Sequence, residues 1–297
     1  MFLRVSVFSQ TEYAIPADVT RIVFLGNSIT YSGQYISYLE TYYRIKHPNR
    51  ELEWINVGLP SETVSGLSEA NHANGAFPRP DLHERLDRVL EQLKPDLVFV
   101  NYGMNDGIYM PLDEERFQRY KDGINWLDSK ISEIRTDVIY VTPPVYDPAA
   151  GAAYANVLAN YSDWLLSRRY SDEWKVIDIH WPMRKYLEDR RVLDRAYYLA
   201  KDGVHPGEIG HWLMAKEILF SLGEFEVKDF DDIHAAIASF THGEKILRLV
   251  SQRQTLLRDA WLTSTGHLRP GLDAGIPIVE AEAKAKELEV KIKALLN

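Results

Sequence analysis

The chain has 297 residues, of which 45% are hydrophobic and 26% are charged, and it contains no cysteine. This length and composition suit one large domain, or one domain with an appendage, around a full buried core. A formal net charge of −9 argues against nucleic-acid binding as the main role. The lack of cysteine excludes disulfides, thiolate metal sites and a cysteine nucleophile, and no apolar run approaches the ~18 residues of a membrane span.

Residues 1–20 form a short arm without a strong pattern. The opening residues, Met1 to Ser9, lack a proper apolar stretch and a small-residue cleavage site, so they make a poor signal peptide. We therefore expect a cytoplasmic location by default, or a secreted protein if a leader has been removed.

Five apolar runs alternate with helical patterns after this arm. The runs predict buried strands at residues 21–26, 52–57, 96–102, 138–141 and 176–179. Helical spacing predicts helices from near 30 to 47 and at 82–93, 113–134, 151–168 and 207–222, with a loop at 71–80. Such alternation is typical of a parallel sheet covered on both faces. The sequence therefore predicts an α/β domain with a five-stranded parallel sheet over residues 1–223.

Residues 224–297 have a different pattern, that of a helical extension. An acidic stretch opens this segment, and one apolar helix face follows at Ile246, Leu249, Val250, Leu257 and Trp261. The last helix has an apolar seam made of Ala281, Ala285, Leu288, Ile292 and Leu295. Since the seam is shorter than about three heptads, we expect it to pack on the α/β domain of the same chain, which favours a monomer. A dimer through these helices is the alternative.

The first predicted strand ends in Gly26-Asn27-Ser28, and a helical pattern begins directly afterwards. Ser28 therefore lies between the carboxyl end of a strand and the amino end of a helix, where open α/β sheets bind ligands. Free N–H groups and the helix dipole favour negative charge there, as a serine nucleophile and its oxyanion require. This stretch alone equally suits a Ser28 that only caps the helix.

Polar residues and a glycine follow the ends of other predicted strands. Gly58 follows the second strand and Asn105 the third, while Asp202 and His205 follow the fifth after a long loop. In a parallel sheet these points converge at one edge, where Ser28 can be a nucleophile, His205 its base and Asp202 the group that orients the base. The N–H groups of Ser28 and Gly58, with the side-chain amide of Asn105, can stabilise an oxyanion.

These motifs resemble, in the same order, the four blocks of the SGNH hydrolases, also called GDSL esterases and lipases. The matching residues are Gly26-Asn27-Ser28-Ile29, Asn56-Val57-Gly58, Gly103-Met104-Asn105-Asp106 and the Asp202–His205 pair. The resemblance covers roughly residues 20–222. It implies a flavodoxin-like three-layer α/β/α sandwich and hydrolysis of a carboxylic ester through an acyl-enzyme.

By the same resemblance, Ser28 is the nucleophile, Asp202 and His205 complete the triad, and Ser28, Gly58 and Asn105 are the oxyanion donors. We expect no cofactor and no metal. The sequence departs from the family's usual motif at Asn27, where the family has Asp. An amide keeps the hydrogen-bonding size of the carboxylate but loses its charge.

Other interpretations of these residues are weaker. His205, Glu208 and His211 have a spacing that suggests a metal site, but histidines six residues apart on a helix point to different faces, unlike the i, i+4 pair of the zinc motif. An α/β-hydrolase nucleophile needs Gly-x-Ser-x-Gly, and Thr30 replaces the second glycine. The alternative to an enzyme is a catalytically silent SGNH fold that only binds a ligand or a protein.

Single residues of the proposed site also have structural explanations. Asn105 and Asp106 suit a turn, and His205 before Pro206 suits the start of a helix. Their convergence with Ser28 on one edge favours catalysis.

Substrate predictions depend on the residues expected to border this edge. The loops at 71–77 and 142–146 should lie there, and the first helix carries Tyr31, Tyr35 and Tyr38, which we expect chiefly to pack. Aromatic and polar loops suit a short-chain acyl or acetyl ester of a carbohydrate or other polar alcohol, and suit an aryl ester nearly as well. The sequence contains no exposed run of large apolar residues typical of a lipase lid.

Overall fold

A computed structural model describes residues 13–296 of the chain. Residues 1–12, which hold most of the predicted arm and the segment considered above as a signal peptide, lie outside the described residues. Within residues 13–296, none of the helices combines the length and the hydrophobicity needed to cross a membrane.

One sheet of five parallel strands lies at the centre of the described structure. The strands are β1 (Arg21–Gly26), β2 (Glu53–Asn56), β3 (Leu97–Asn101), β4 (Asp137–Val141) and β5 (Lys175–Ile177). They lie in the order β2-β1-β3-β4-β5, with Val23 of β1 paired to Ile55 of β2 and to Val98 of β3. This is the flavodoxin-like order, and it confirms the predicted α/β fold with a five-stranded parallel sheet.

Ten α-helices surround the sheet in the part of the chain that is described. They are α1 (Ser28–Ser32), α2 (Gln34–Lys46), α3 (Leu86–Leu93), α4 (Glu114–Glu133), α5 (Pro148–Ser171), α6 (His180–Leu193), α7 (Glu208–Ser221), α8 (Ile233–Ile237), α9 (Gly243–Thr265) and α10 (Ile278–Leu296). Short 3-10 helices occupy His72–Gly75, Leu82–Glu84 and Phe225–Asp229.

The core confirms that the sheet is covered on both faces. Consecutive residues of a strand point to opposite faces, and Ile22 to Leu25 of β1 are all fully buried. Phe24 stacks between Trp54 and Phe99, with ring centroids 5.9 Å and 5.0 Å apart. The carboxyl end of β1, which leads into Ser28, is therefore held by the middle of the core.

The largest departures from the predicted helices are at the first helix and at α6. The predicted first helix is broken into α1 and α2, because Gly33 adopts φ of 71°, which belongs to the left-handed region. Helix α6 lies within the segment predicted to be a long loop. Only His180, Met183 and Leu187 of α6 are buried, so its apolar stripe is too sparse to produce a clear helical period.

The C-terminal helices pack on the rest of the same chain. Helix α10 packs on α9, which in turn contacts α2 and β2. Ala281, Ala285, Leu288 and Ile292 of the predicted seam are buried, and Leu295 is partly buried.

A buried polar cluster joins this extension to α2. The carboxylate of Glu40, which is fully buried, accepts hydrogen bonds from Arg44 at 2.6 Å and from the side chains of Arg253 and Gln254. Glu289 of α10 pairs with Arg44 at 2.9 Å and also with Arg253. The contact between the extension and α2 thus includes matched charges as well as apolar surface.

Candidate active site

Ser28 lies at the first position of α1, at the carboxyl edge of the sheet. The preceding residue, Asn27, is the residue that caps this helix, because its Oδ1 accepts a hydrogen bond from the N–H of Ile29 at 3.0 Å. The capping role that the sequence left open for Ser28 therefore belongs to Asn27. The N–H of Ser28 has no acceptor among the described residues, as is usual in the first turn of a helix.

Asn27 also shows what the departure from the family's Asp changes. Its oxygen keeps the cap, whereas its buried Nδ2 has no hydrogen-bond partner among the residues described. An aspartate would present a second acceptor here instead of a donor.

The side chains of Ser28, His205 and Asp202 form a continuous hydrogen-bonded chain. Nε2 of His205 lies 2.9 Å from Oγ of Ser28, and Nδ1 of His205 lies 2.6 Å from Oδ2 of Asp202. Oδ1 of Asp202 accepts hydrogen bonds from the N–H groups of Val204 at 2.9 Å and of His205 at 2.8 Å. The structure thus brings together three residues predicted from the sequence to form a triad.

The protonation state of Asp202 decides the direction of these hydrogen bonds. Burial acts to raise the pKa of Asp202, but the hydrogen bonds from the ring and backbone of His205 and from Val204 outweigh it and lower the pKa to about 2. The carboxylate is therefore ionised at neutral pH and can only accept. In the neutral imidazole of His205, Nδ1 then carries the proton and Nε2 is an acceptor facing the hydroxyl of Ser28.

Asn105 is held in one orientation by two neighbours. Its Nδ2 donates to the carbonyl oxygen of Glu62 at 3.1 Å, and its Oδ1 accepts from the hydroxyl of Tyr109 at 3.1 Å. A donor to Oδ1 and an acceptor for Nδ2 together fix which end of the amide is nitrogen. The second hydrogen of Nδ2 has no acceptor within residues 13–296, so Asn105 can donate it to a bound group.

The backbone beside Asn105 is strained. Ile108 and Tyr109 have φ of 48° and 57°, in the left-handed region. Ile is β-branched, so this conformation is costly, and such strain is concentrated at functional sites. Here the strained turn presents the Tyr109 hydroxyl to Asn105. Tyr109 was not identified from the sequence, because a single tyrosine in a loop has no distinguishing pattern.

Two buried carboxylates, Glu62 and Asp106, hold the loop after β2, which carries the carbonyl that accepts from Asn105. Glu62 pairs with Arg85 at 2.6 Å and accepts a hydrogen bond from the Tyr102 hydroxyl. Asp106 accepts hydrogen bonds from the N–H groups of Val64, Ser65 and Gly103, which ties the loop after β2 to the end of β3. Burial raises the pKa of Asp106, and these N–H donors oppose that rise.

Gly58 lies close to α1, but its N–H is already engaged. The N–H donates to Oδ1 of Asn56 at 2.9 Å, and Nδ2 of Asn56 donates to the carbonyl of Thr30 at 2.6 Å. A Cβ at position 58 would lie 2.4 Å from the nitrogen of Tyr31, so only glycine fits. Of the three predicted oxyanion donors, Ser28 and Asn105 thus have free hydrogens among the described residues, while Gly58 shares its N–H with Asn56.

The tyrosines of the first predicted helix divide into two groups. Tyr35 and Tyr38 are buried, as expected for packing residues. Tyr31 is partly exposed and lies beneath the guanidinium of Arg258, 4.0 Å from the ring centroid. The partly exposed ring of Tyr146 lies near Gly203, the residue after Asp202.

The three residues with metal-like spacing have three separate partners. Nε2 of His205 faces Ser28, Nε2 of His211 lies 3.2 Å from Oγ of Ser32, and Glu208 contacts His234 at 2.8 Å. His211 is buried, and burial followed by the charge of His205 lowers its pKa to about 4. These three side chains do not converge on a common point.

Comparison with known proteins identifies a matching family and several solved structures with a similar fold. A model of the GDSL-like lipase/acylhydrolase family matches residues 24–213. The acetylxylan esterase Axe2 from Geobacillus stearothermophilus has a similar fold, with a TM-score of 0.55 and 20% identity over 69% of this chain and 94% of its own. The α/β hydrolase LAE5 from the metagenome of Lake Arreo, Spain, has a TM-score of 0.55 and 22% identity over 72% of this chain and 98% of its own.

A gut microbial diltiazem-metabolizing enzyme is also similar, with a TM-score of 0.59 and 21% identity over 72% of this chain and 49% of its own. This chain thus spans about half the length of that enzyme. No curated protein matches the chain.

Proposed function

We propose that this chain, which belongs to the GDSL-like lipase/acylhydrolase family, cleaves its ester substrate through an acyl-enzyme formed on Ser28. The observation that carries the proposal is the hydrogen-bonded chain from Ser28 to His205 at 2.9 Å and from His205 to Asp202 at 2.6 Å. A nucleophile, a base and a group that orients the base are the required parts of such a site.

In the first half-reaction, Oγ of Ser28 attacks the ester carbonyl carbon while its proton passes to Nε2 of His205. The carbonyl oxygen becomes an oxyanion, which the N–H of Ser28 and the side-chain amide of Asn105 stabilise. The N–H of Gly58 can join them if it is released from Asn56. When the intermediate collapses, the bond to the alcohol oxygen breaks, and the alcohol leaves with the proton from His205.

In the second half-reaction, a water molecule replaces the alcohol. The water oxygen attacks the acyl carbon while His205 takes a proton from the water. The bond from the acyl carbon to Oγ of Ser28 then breaks, and Oγ recovers the proton from His205. Asp202 stays ionised throughout and stabilises the imidazolium form of His205 in both steps. The products are a carboxylic acid, an alcohol and the unchanged enzyme.

For the substrate, we propose a short-chain acyl or acetyl ester of a carbohydrate or another polar alcohol. The site is open, because the His205 side chain is 53% exposed and Ser28 is partly exposed. Tyr31 and Tyr146 border it, and although Arg258 covers one face of the Tyr31 ring, partly exposed tyrosines combine apolar rings with polar hydroxyls, which suits sugars and other polar alcohols. The fold similarity to an acetylxylan esterase supports the same class.

The test combines a serine-directed probe with a substrate panel. A fluorophosphonate should label the wild-type protein on Ser28 and leave Ser28→Ala unlabelled. Esters of p-nitrophenol from acetate to palmitate, assayed beside acetylated sugars, should show activity that falls with acyl length. Absence of both labelling and hydrolysis would favour the catalytically silent binding module instead.

A further inference from the structure

The C-terminal extension places two arginines beside the segments that carry Ser28 and Gly58. Arg258 of α9 donates from Nη1 to the carbonyl of Tyr31 at 2.7 Å. Arg269, in the loop between α9 and α10, donates from Nε to the carbonyl of Pro60 at 3.1 Å. Both arginines lie beyond residues 24–213, which match the family. The family match therefore says nothing about the role of these two arginines.

The contacts of Arg269 connect it to the loop after β2, which packs against the end of the strand that leads to Ser28. Its Nε contacts Pro60, and the preceding residue, Leu59, donates its N–H to the carbonyl of Gly26 at 2.9 Å. Gly26 is two residues before Ser28. The Arg269 guanidinium also lies over the ring of Phe77, 5.5 Å from its centroid, so one of its faces is fixed by packing. These contacts hold the guanidinium on the loop that follows Gly58, next to the end of β1.

Charge balance distinguishes Arg269 from the other arginines at this edge. Arg79 is paired with Glu69 at 2.6 Å, and Arg258 is paired with Asp259 at 2.8 Å. Within residues 13–296, Arg269 has no carboxylate at ion-pair distance, and its Nη2 has no acceptor. Arg269 therefore contributes a positive charge that none of the described carboxylates neutralises at ion-pair distance, although the chain has a net charge of −9.

The titration of nearby groups agrees with this geometry. Burial lowers the pKa of Arg269, which is what partial desolvation does to a cation without a matching anion. Burial and then the charge of Arg79 lower the pKa of His72, Glu69 opposes this, and the charge of Arg269 is the smallest contribution to the lowering. A partly buried, uncompensated guanidinium would gain both solvation and charge balance from an incoming carboxylate.

We propose that Arg269 binds a carboxylate on the substrate, so that the preferred esters are anionic, such as an acetylated sugar acid. This inference rests on the proposed ester hydrolysis at Ser28. The guanidinium offers its Nη2 edge to the carboxylate while Nε stays bound to Pro60. The extension then has a direct part in substrate selection.

The test measures kcat/KM for two matched pairs of esters. One pair carries the charge in the alcohol part: acetylated methyl glucuronoside against acetylated methyl glucoside. The other carries it in the acyl part: phenyl hydrogen succinate against phenyl butyrate, after subtraction of spontaneous hydrolysis. We expect the wild-type protein to prefer the anionic member of one pair by about 10- to 100-fold, the range expected for a charge-assisted hydrogen bond. The pair that shows the preference tells which part of the substrate Arg269 contacts.

Variants assign this preference to Arg269. Arg269→Gln should lose it and Arg269→Lys should keep part of it, while hydrolysis of the neutral esters persists. The matched control is Arg248→Gln, an exposed residue of α9 about 15 Å along the helix from Arg258, which should keep the full preference. Raising the ionic strength should weaken the preference in the wild-type protein, a readout that needs no variant.

Two results would overturn the inference. One is hydrolysis of the neutral esters by the wild-type protein with no preference in either pair, and the other is a preference that Arg269→Gln retains. If the protein hydrolyses none of the four esters and is not labelled by the fluorophosphonate, the proposed function is wrong, and this inference is wrong with it.

Discussion

Oγ of Ser28 and Nε2 of His205 lie 2.9 Å apart, although 177 residues separate them in the chain. The packing of α7 on α2 explains this contact. Ser28 opens α1, which directly precedes α2, and His205 lies three residues before α7. The amino ends meet, since Ser32 at the end of α1 contacts His211 in the first turn of α7 at 3.2 Å. The pair therefore depends on the core behind it as much as on its own hydrogen bond.

The first prediction concerns the nucleophile. Ser28→Ala should lower ester hydrolysis by several orders of magnitude while circular dichroism stays unchanged, because a triad acts as a unit. Ser129→Ala, which removes a hydroxyl from the exposed face of α4, is the control and should keep full activity. Hydrolysis within about tenfold of wild type in purified Ser28→Ala would exclude Ser28 from the mechanism.

The second prediction concerns the amide of Asn105. Asn105→Ala should lower kcat by roughly 10²–10³ with little change in KM, because the donor acts mainly where charge develops. Tyr109→Phe removes the hydrogen bond that orients this amide, so it should lower kcat by about 3- to 10-fold. A large rise in KM at constant kcat in Asn105→Ala would show that Asn105 binds substrate instead.

The third prediction concerns the fit of Gly58 against α1. Gly58→Ala should lower both the melting temperature and the activity, because a Cβ there would lie 2.4 Å from the backbone nitrogen of Tyr31. Gly207→Ala is the control, since its Cβ would meet only the carbonyl oxygen of Leu199, at 3.6 Å. Equal melting temperatures for wild type and Gly58→Ala would contradict this packing.

The fourth prediction concerns stability at acid pH. Burial lowers the pKa of both His211 and His180 to about 4, from an ordinary value of 6.5. Between these two pH values the unfolded chain binds protons that the folded chain does not. The free energy of unfolding should therefore fall as pH decreases from about 6.5 towards 4, by up to about 3 kcal/mol for each histidine.

Urea unfolding at pH 7.5 and pH 5 measures this effect. His211→Gln removes one of the two groups, so its loss of stability between these pH values should be smaller than that of wild type. His242→Gln, at an exposed position, controls for the removal of a histidine. The same pH-dependent loss in His211→Gln as in wild type would refute the assignment. Asp202, with a pKa of about 2, stays ionised over this range.

The fifth prediction concerns the extension, which we interpret as a brace on the same chain. Ile292 of α10 is fully buried, so Ile292→Ala should lower the free energy of unfolding by about 2–5 kcal/mol. Val290→Ala, at a side chain that is 63% exposed, should change it little. The melting temperature of the wild-type protein should not depend on protein concentration. A melting temperature that rises with concentration, with a dimer in sedimentation, would make the seam an oligomerisation surface.

The amino-acid sequence alone was enough to predict the sheet and the residues that converge at the candidate site. Apolar runs bounded by Gly, Pro and polar residues predicted all five strands, because buried parallel strands need continuous apolar side chains. The residues that follow those runs, Ser28, Gly58 and Asn105, with Asp202 and His205 beyond the last run, were also identifiable. In a parallel sheet the carboxyl ends of all strands meet at one edge, so order along the chain is enough to predict their convergence.

Which hydrogen-bonding groups of these residues are free became clear from the three-dimensional structure. It assigned the helix cap to Asn27, engaged the N–H of Gly58 with Asn56, and fixed the amide of Asn105 through Tyr109. It also brought Arg269 to the carbonyl of Pro60, in the loop after β2, from more than 200 residues away along the chain. Periodicity reports which face of a local element is apolar, whereas these pairings depend on how distant segments pack, and no local pattern encodes that packing.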